Sequence, residues 1–169
     1  MKNFIRRLFG RFHVVTHSDV LSYKGSWRKG AFHGYGVLEY SNGGLYKGDF
    51  KSGVKHGFGV YTSASGFRYE GDWSYGEQTG SAKISYKNGD WYEGAVKTGV
   101  RCGLGELSEL SSQRIFKGNW ENGSLVGDIH ITSIDWKYSG TIPDSHGRAS
   151  GSLTYSDGST YVGNITNFT

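Results

Sequence analysis

One sequence motif constrains this chain more than any other: an aromatic residue with glycine two positions later, which returns every 22 to 24 residues. The motif begins at Tyr23, Tyr46, Tyr69, Tyr92, Phe116, Tyr138 and Tyr161. The first five copies also carry glycine at their eighth and twelfth positions. A period of this length is typical of repeat architectures in which each copy folds as one structural element. The sequence therefore predicts about six and a half 23-residue repeats over residues 19–169, preceded by a separate segment, residues 1–18.

The residue pattern inside each repeat predicts a β-hairpin. In the first repeat, "YKGSW" places Tyr23, Gly25 and Trp27 on one face of a strand, and "GVLEY" continues the alternation in a second strand. The stretch "RKGAFHG" is predicted to connect the two strands, and "SNGG" to turn the chain into the next repeat. A lone hairpin is marginally stable in water, so we expect the hairpins to stack side by side.

The glycine and aromatic content indicates how such hairpins pack. Collagen would suit the 28 glycines, but it needs abundant proline and this chain has one. The 12 Tyr, 9 Phe and 5 Trp residues exclude a disordered chain. We therefore expect the glycines at the third and fourteenth repeat positions to leave room for rings from neighbouring repeats. On this interpretation, Gly25→Val destabilises the fold.

The repeats resemble the MORN repeat (membrane occupation and recognition nexus). The segments "YKGSWRKGAFHGYGVLEYSNGGL" and "YKGDFKSGVKHGFGVYTSASGFR" match its pattern almost throughout. Thr79 and Cys102 replace the histidine in the third and fourth repeats, and the fifth and sixth are degenerate. The resemblance implies an all-β fold, an elongated single-layer antiparallel sheet of stacked β-hairpins with an aromatic-lined concave face. The last repeat stops after "YVGNITNFT", which suggests a degenerate array or a truncated gene.

The first 18 residues form a basic, amphipathic segment that departs from the repeat. They contain four of the 19 Lys and Arg residues and none of the 15 Asp and Glu residues, so the array itself is neutral. Apolar residues recur at helical spacing, which predicts a short helix that caps the first hairpin or binds anionic lipid. The lipid-binding residues would be Lys2, Phe4, Arg6, Arg7, Leu8, Phe9, Arg11 and Phe12. A mitochondrial presequence and a calmodulin-target-like peptide are the further alternatives.

The sequence contains few residues arranged for chemistry. His33 and His56 recur at the same repeat position, but we place both in the hairpin connection as structural residues rather than metal ligands. Cys102 is the only cysteine, which excludes an internal disulfide and fits a reducing compartment. The neutral array does not suit a nucleic-acid partner. We therefore predict no enzymatic activity, no cofactor and no metal.

The resemblance implies a cytoplasmic adaptor or scaffold that binds a protein partner through its aromatic face. The partner-binding residues would be Tyr23, Trp27, Tyr46, Phe50, Tyr69, Trp73 and Tyr92. Because the array ends inside a repeat, an open strand edge would be free to pair with a second copy, which gives a homodimer as a further expectation. The alternative is a peripheral membrane protein that residues 1–15 tether to anionic lipid.

Overall fold

The computed structural model describes residues 19–142 and 148–165. The predicted N-terminal helix and its lipid-binding residues lie outside this range. The described residues form thirteen β-strands. In chain order they are β1 (Val20–Arg28), β2 (Ala31–Tyr40), β3 (Leu45–Lys51), β4 (Val54–Thr62), β5 (Arg68–Ser74), β6 (Glu77–Ser85), β7 (Trp91–Lys97), β8 (Val100–Glu109), β9 (Arg114–Glu121), β10 (Ser124–Thr132), β11 (Trp136–Thr141), β12 (Ala149–Tyr155) and β13 (Thr160–Ile165).

The strands form two compact units, divided between Lys87 and Asn88. The N-terminal unit contains β1 to β6, and the C-terminal unit contains β7 to β13. Within each unit the strands follow chain order in an open antiparallel sheet; each of the first six repeats contributes a hairpin, and the described part of the seventh contributes β13. The predicted all-β, antiparallel fold class is thereby confirmed. The predicted boundary between residues 18 and 19 lies at the limit of the described residues and stays a prediction.

The connection inside each of the first five hairpins is shorter than the sequence predicted. Only two residues, Lys29 and Gly30, turn the chain between β1 and β2, and both have positive φ, 51° and 79°. Positive φ at both central residues is the signature of a type I′ turn, whose twist matches the strands it joins. The prediction that His33 and His56 lie in the hairpin connection is therefore wrong, because they belong to β2 and β4.

The twelfth-position glycine marks a bulge rather than a turn. Gly34 has a φ of 63°, a conformation that glycine adopts without steric cost. The register between β1 and β2 shifts at this level, between Gly25 and Trp27. The same shift recurs in β3–β4 between Gly48 and Phe50. Such a bulge realigns the strand, so residues after it regain the alternation that the sequence predicted.

The third- and fourteenth-position glycines accommodate a ring, but the ring comes from the same repeat. A Cβ on Gly36 would lie 2.5 Å from Cε2 of Tyr23, and a Cβ on Gly25 would lie 2.5 Å from the Tyr23 hydroxyl oxygen. Tyr46 lies against Gly48 and Gly59 in the same way. The prediction that neighbouring repeats supply these rings is therefore wrong. A tyrosine side chain can reach across its own hairpin, because its third-position glycine lies only two residues away on the same face.

Successive hairpins are joined at their turns as well as along their strands. The Gly53 amide donates to the Phe32 carbonyl oxygen at 2.9 Å, and the Gly76 amide donates to that of Lys55 at 2.9 Å. In the C-terminal unit the Gly123 amide donates to the Arg101 carbonyl oxygen at 3.0 Å. Each of these three turn glycines therefore holds the tenth residue of the preceding repeat, which fixes the stacking of those hairpins within their unit.

Candidate partner-binding face

The first-position tyrosines form a buried row on one side of the N-terminal sheet, which we call the aromatic face. The Tyr23 hydroxyl donates to the Ser26 carbonyl oxygen at 3.0 Å, and Tyr46 and Tyr69 make the equivalent bond three residues on. All three side chains are 0% exposed. Burial raises the pKa of Tyr69 to about 12, so its hydroxyl stays protonated as a donor. This bond satisfies the one polar group that each ring takes into the core.

The fifth-position rings pack between these tyrosines. Trp73 makes edge contacts with Tyr46 and Tyr69, at ring-centroid distances of 5.2 and 5.1 Å. Its indole nitrogen donates to the Gly59 carbonyl oxygen at 3.2 Å. Phe50 bridges Tyr23 and Tyr46 in the same manner, at 5.2 and 5.1 Å. Edge-to-face contacts are the favoured geometry for aromatic pairs, so this layer is a core in its own right.

The structure places all seven predicted partner-binding residues within packed layers. Six of them, Tyr23, Trp27, Tyr46, Phe50, Tyr69 and Trp73, belong to the N-terminal unit, and Tyr92 belongs to the C-terminal unit. Their side chains are at most 5% exposed, except for Trp27, which is half-buried. Their role in partner binding stays a prediction. A partner that approaches the aromatic face meets mainly the side chains that cover these rings.

Residues at the tenth repeat position provide that cover. They lie opposite the fifth-position residues across the turn and include an apolar, a basic and an amide side chain in the N-terminal unit: Phe32, Lys55 and Gln78. Phe32 stacks on Tyr23 with ring centroids 3.9 Å apart. Sequence reasoning missed this position because it assigned "RKGAFHG" to a connection. The sequence did contain a signal for this position. A non-glycine residue follows two positions after the turn glycine, and a two-residue turn places that residue opposite the fifth position.

Four further rings form a half-buried row near the other end of the strands on the aromatic face. This row, which we call the ring ladder, consists of Tyr40, Tyr61, Phe67 and Tyr86. Successive ring centroids lie 6.1, 6.5 and 6.0 Å apart. Because each ring retains exposed surface, the ladder offers a partner the aromatic contact that the buried tyrosine row cannot.

Lys55 lies between the ring ladder and the buried rings. Its Nζ is 5.2 and 5.1 Å from the ring centroids of Tyr40 and Tyr61, and 5.2 and 4.5 Å from those of Tyr46 and Trp73. All four lie within the distance at which a ring face attracts a cation. Burial lowers the pKa of Lys55 from its usual 10.5 to about 8. Attraction by the rings opposes that shift, because it favours the charged ammonium.

The opposite face of the N-terminal sheet has a different character. Tyr35 and Phe58 project from it and are 63% and 53% exposed. Asp49 pairs with Tyr35 across the strands, and its carboxylate accepts the Phe58 amide at 3.4 Å. Asp72 accepts the Ser81 amide at 3.0 Å in the next repeat. These carboxylates support the backbone beside the bulges, which gives them a structural role.

The two repeat histidines do not form a shared site with acidic or thiol ligands. His56 makes an edge contact with Tyr75 at 5.8 Å between ring centroids. In the described part of the chain, no group of three or more His, Cys, Asp or Glu side chains is arranged to hold a metal ion. Cys102 has a free thiol and lies half-buried in β8.

Comparison with known protein families identifies part of the array. A family model described as the MORN repeat matches residues 23–45, 46–68 and 69–91. The matched segments begin at Tyr23, Tyr46 and Tyr69, where the period predicts the first three repeats. No curated protein matches the chain. Among the residues that the structure describes, there is no helix with the length and apolar character to span a membrane.

Proposed function

We propose that this chain, a MORN-repeat protein with repeats at residues 23–91, is a non-catalytic cytoplasmic adaptor that binds a protein partner through its aromatic face. The observation that carries the proposal is the ring ladder. Four neighbouring aromatic side chains keep exposed surface above a core that is already complete. Tyrosine and other large rings are the usual anchors of protein interfaces.

The rigidity of the underlying layer also favours an adaptor. The buried tyrosines are held by hydroxyl-to-carbonyl bonds, and the turns of successive hairpins are hydrogen-bonded to each other. A surface held in this way loses little conformational entropy when a partner binds. The polar side chains Asp49 and Asp72 support bulges, which fits a scaffold.

The test compares the two faces of the same sheet. Binding of captured partner proteins would be measured for two double variants. The first is Phe67→Ser with Tyr86→Ser on the ring ladder, and the second is Tyr35→Ser with Phe58→Ser on the opposite face. We expect the first pair to lose the partner and the second pair to retain it, with thermal melting confirming that both fold. Loss of the partner only in the second pair would move the binding surface to the opposite face.

Membrane tethering by residues 1–15 is the second proposal. It is supported by the sequence alone, through the four basic residues and the apolar stripe of this segment. The test is flotation with anionic liposomes. We expect Arg6→Glu with Arg7→Glu to release the protein, and Lys24→Glu with Arg28→Glu, which reverses the same charge within the array, to have little effect. Equal release by both pairs would indicate a non-specific charge effect and reject the tether.

A further inference from the structure

Lys55 is a cation in surroundings that supply rings but no acid. Its Nζ forms no hydrogen bond or ion pair with the residues that the structure describes. By strand alternation, the carboxylates of β1 to β6 all lie on the opposite face: Glu39, Asp49, Glu70, Asp72 and Glu77. The aromatic face of the N-terminal unit therefore has a positive charge that its own strands leave unneutralised.

Ring faces attract an ammonium but do not accept its protons in strong hydrogen bonds. A lysine ammonium has three N–H donors, and the four rings leave them without an oxygen acceptor. Lys55 is half-buried, so part of its hydration is already lost. Such a charge gains more from an incoming anion than a fully solvated lysine does, because little water has to be removed from it.

We propose that Lys55 anchors the partner on the aromatic face by binding a carboxylate that lies next to a large apolar side chain of an acidic peptide segment. This inference rests on the proposed adaptor function and specifies the chemistry of its partner. The carboxylate would accept hydrogen bonds from the Lys55 ammonium. The neighbouring apolar side chain would pack on the exposed edges of Tyr40 and Tyr61, which flank that ammonium.

Carboxylate fits this site better than phosphate does. Phosphate recognition generally uses several converging donors, such as an arginine fork or a row of backbone amides. In the described part of the N-terminal unit, Lys55 is the single basic side chain that the ring contacts place on this face. One ammonium balances one carboxylate, and the rings around it match an apolar neighbour.

The rings around Lys55 affect how binding at this site depends on pH. Three phenols, those of Tyr40, Tyr46 and Tyr61, and the uncharged indole of Trp73 surround it. Burial raises the pKa of Tyr40 to about 12 and also raises that of Tyr46. Carboxylate binding should therefore be strongest below about pH 8, where Lys55 is charged, and should weaken as the pH rises above that value.

The experiment uses the full chain and three small probes: 3-phenylpropionate, its neutral amide, and phenyl phosphate. Titrations would be followed by NMR of the lysine ε-methylene groups and the tryptophan indoles. We expect 3-phenylpropionate to shift the Lys55 and Trp73 signals, and the amide to bind about tenfold more weakly. Lys55→Met should abolish the difference between acid and amide. Lys47→Met, a matched change on the opposite face of the same repeat, should leave it intact.

Several results would overturn the inference that Lys55 binds a carboxylate and would leave the proposed adaptor function unaffected. They are equal binding of acid and amide, acid binding that survives in Lys55→Met, a preference for phenyl phosphate, and no shift at Lys55 up to the solubility limit of the acid. The Lys55 signals of the unmodified protein report the contact directly, so the test stands even if Lys55→Met folds poorly. Retention of the partner by the ring-ladder double variant would instead reject the proposal that the aromatic face binds the partner.

Discussion

The two units build their cores from the same repeat with different side chains. In the N-terminal unit, Tyr23 and Tyr46 each lie across the two glycines of their own hairpin, and aromatic rings fill the gaps between the first-position tyrosines. In the C-terminal unit, the fifth repeat begins with Phe116, and the core there is largely aliphatic, with Ile129 and Ile131 buried beside Tyr138. The comparison shows that the residues packed around each glycine, and not the repeat length alone, determine how much room a side chain would have there.

The third-position glycines of the fourth and fifth repeats show the effect of these surroundings most directly. A Cβ on Gly94 would lie 2.5 Å from both the Tyr92 hydroxyl oxygen and the Cα of Gly105. A Cβ on Gly118, at the same position of the fifth repeat, would lie 3.1 Å from Leu125 Cδ2, the nearest atom. Phe116 has no hydroxyl to anchor across the hairpin, and the nearest neighbours of that Cβ are the Leu125 and Ile129 side chains, with the Asp128 carbonyl oxygen at 3.3 Å.

The largest effect should come from the fifth repeat position, where Trp73 of the third repeat is compared with Val96 of the fourth. Trp73→Ala removes a ring that touches Tyr46 and Tyr69 and breaks its bond to Gly59, so we expect a loss of about 3–5 kcal/mol in unfolding free energy. Val96→Ala, at the same position of the fourth repeat, should cost less because it deletes fewer buried atoms. Urea denaturation of both variants measures the difference. Equal costs would show that the aromatic layer adds no stability of its own.

The next effect concerns the glycines. Gly25→Ala should cost about 1–3 kcal/mol, and Gly25→Val more, because the added atoms collide with the Tyr23 hydroxyl and with the Cα of Gly36. Gly118→Ala should cost less than Gly25→Ala, since the Leu125 side chain can move aside. Thermal melting of the paired variants tests this order. The interpretation fails if Gly25→Ala melts at the wild-type temperature.

A smaller effect on stability comes from the hydroxyl group of a first-position tyrosine. Tyr46→Phe removes the 3.0 Å bond to the Asp49 carbonyl oxygen and should cost about 1 kcal/mol. Phe116→Tyr should give no matching gain, because Ile129 occupies the fourteenth position and the ring cannot lie flat across its hairpin. Denaturation midpoints of the two variants provide the measurement. A clear stabilisation by Phe116→Tyr would mean that the fifth repeat retains the tyrosine geometry.

A separate effect is the pH dependence of stability that Lys55 introduces. Its pKa is lowered to about 8 in the folded protein from the usual 10.5, so the unfolded chain binds more protons between these values. The unfolding free energy of the wild type, measured relative to that of Lys55→Met, should therefore be higher at about pH 9.5 than at about pH 7. The gain is lost as the pH falls through 8, because the buried ammonium is then charged. Denaturation of both proteins at the two pH values tests the sign. A constant difference would show that the rings fully offset the burial of the ammonium.

The sequence by itself determined the repeat period, the hairpin in each of the first six repeats, the antiparallel all-β class and the face on which the tyrosines lie. These follow from short-range rules, because alternation and glycine-dependent turns act within a few residues. The family match at residues 23–91 agrees with the period. The sequence pattern also pointed correctly to the glycines that must lie close to a ring.

Only the tertiary structure decided which side chains pack over the buried rings and which rings keep exposed surface. The pattern could not show that the turn takes two residues, and so could not place Lys55 opposite Phe50 and above four rings from three different repeats. Nor could it separate the buried tyrosine row from the half-buried ring ladder, since both lie on the same face and both consist of large aromatic residues. Burial depends on the packing of neighbouring hairpins, a long-range property that no single repeat encodes.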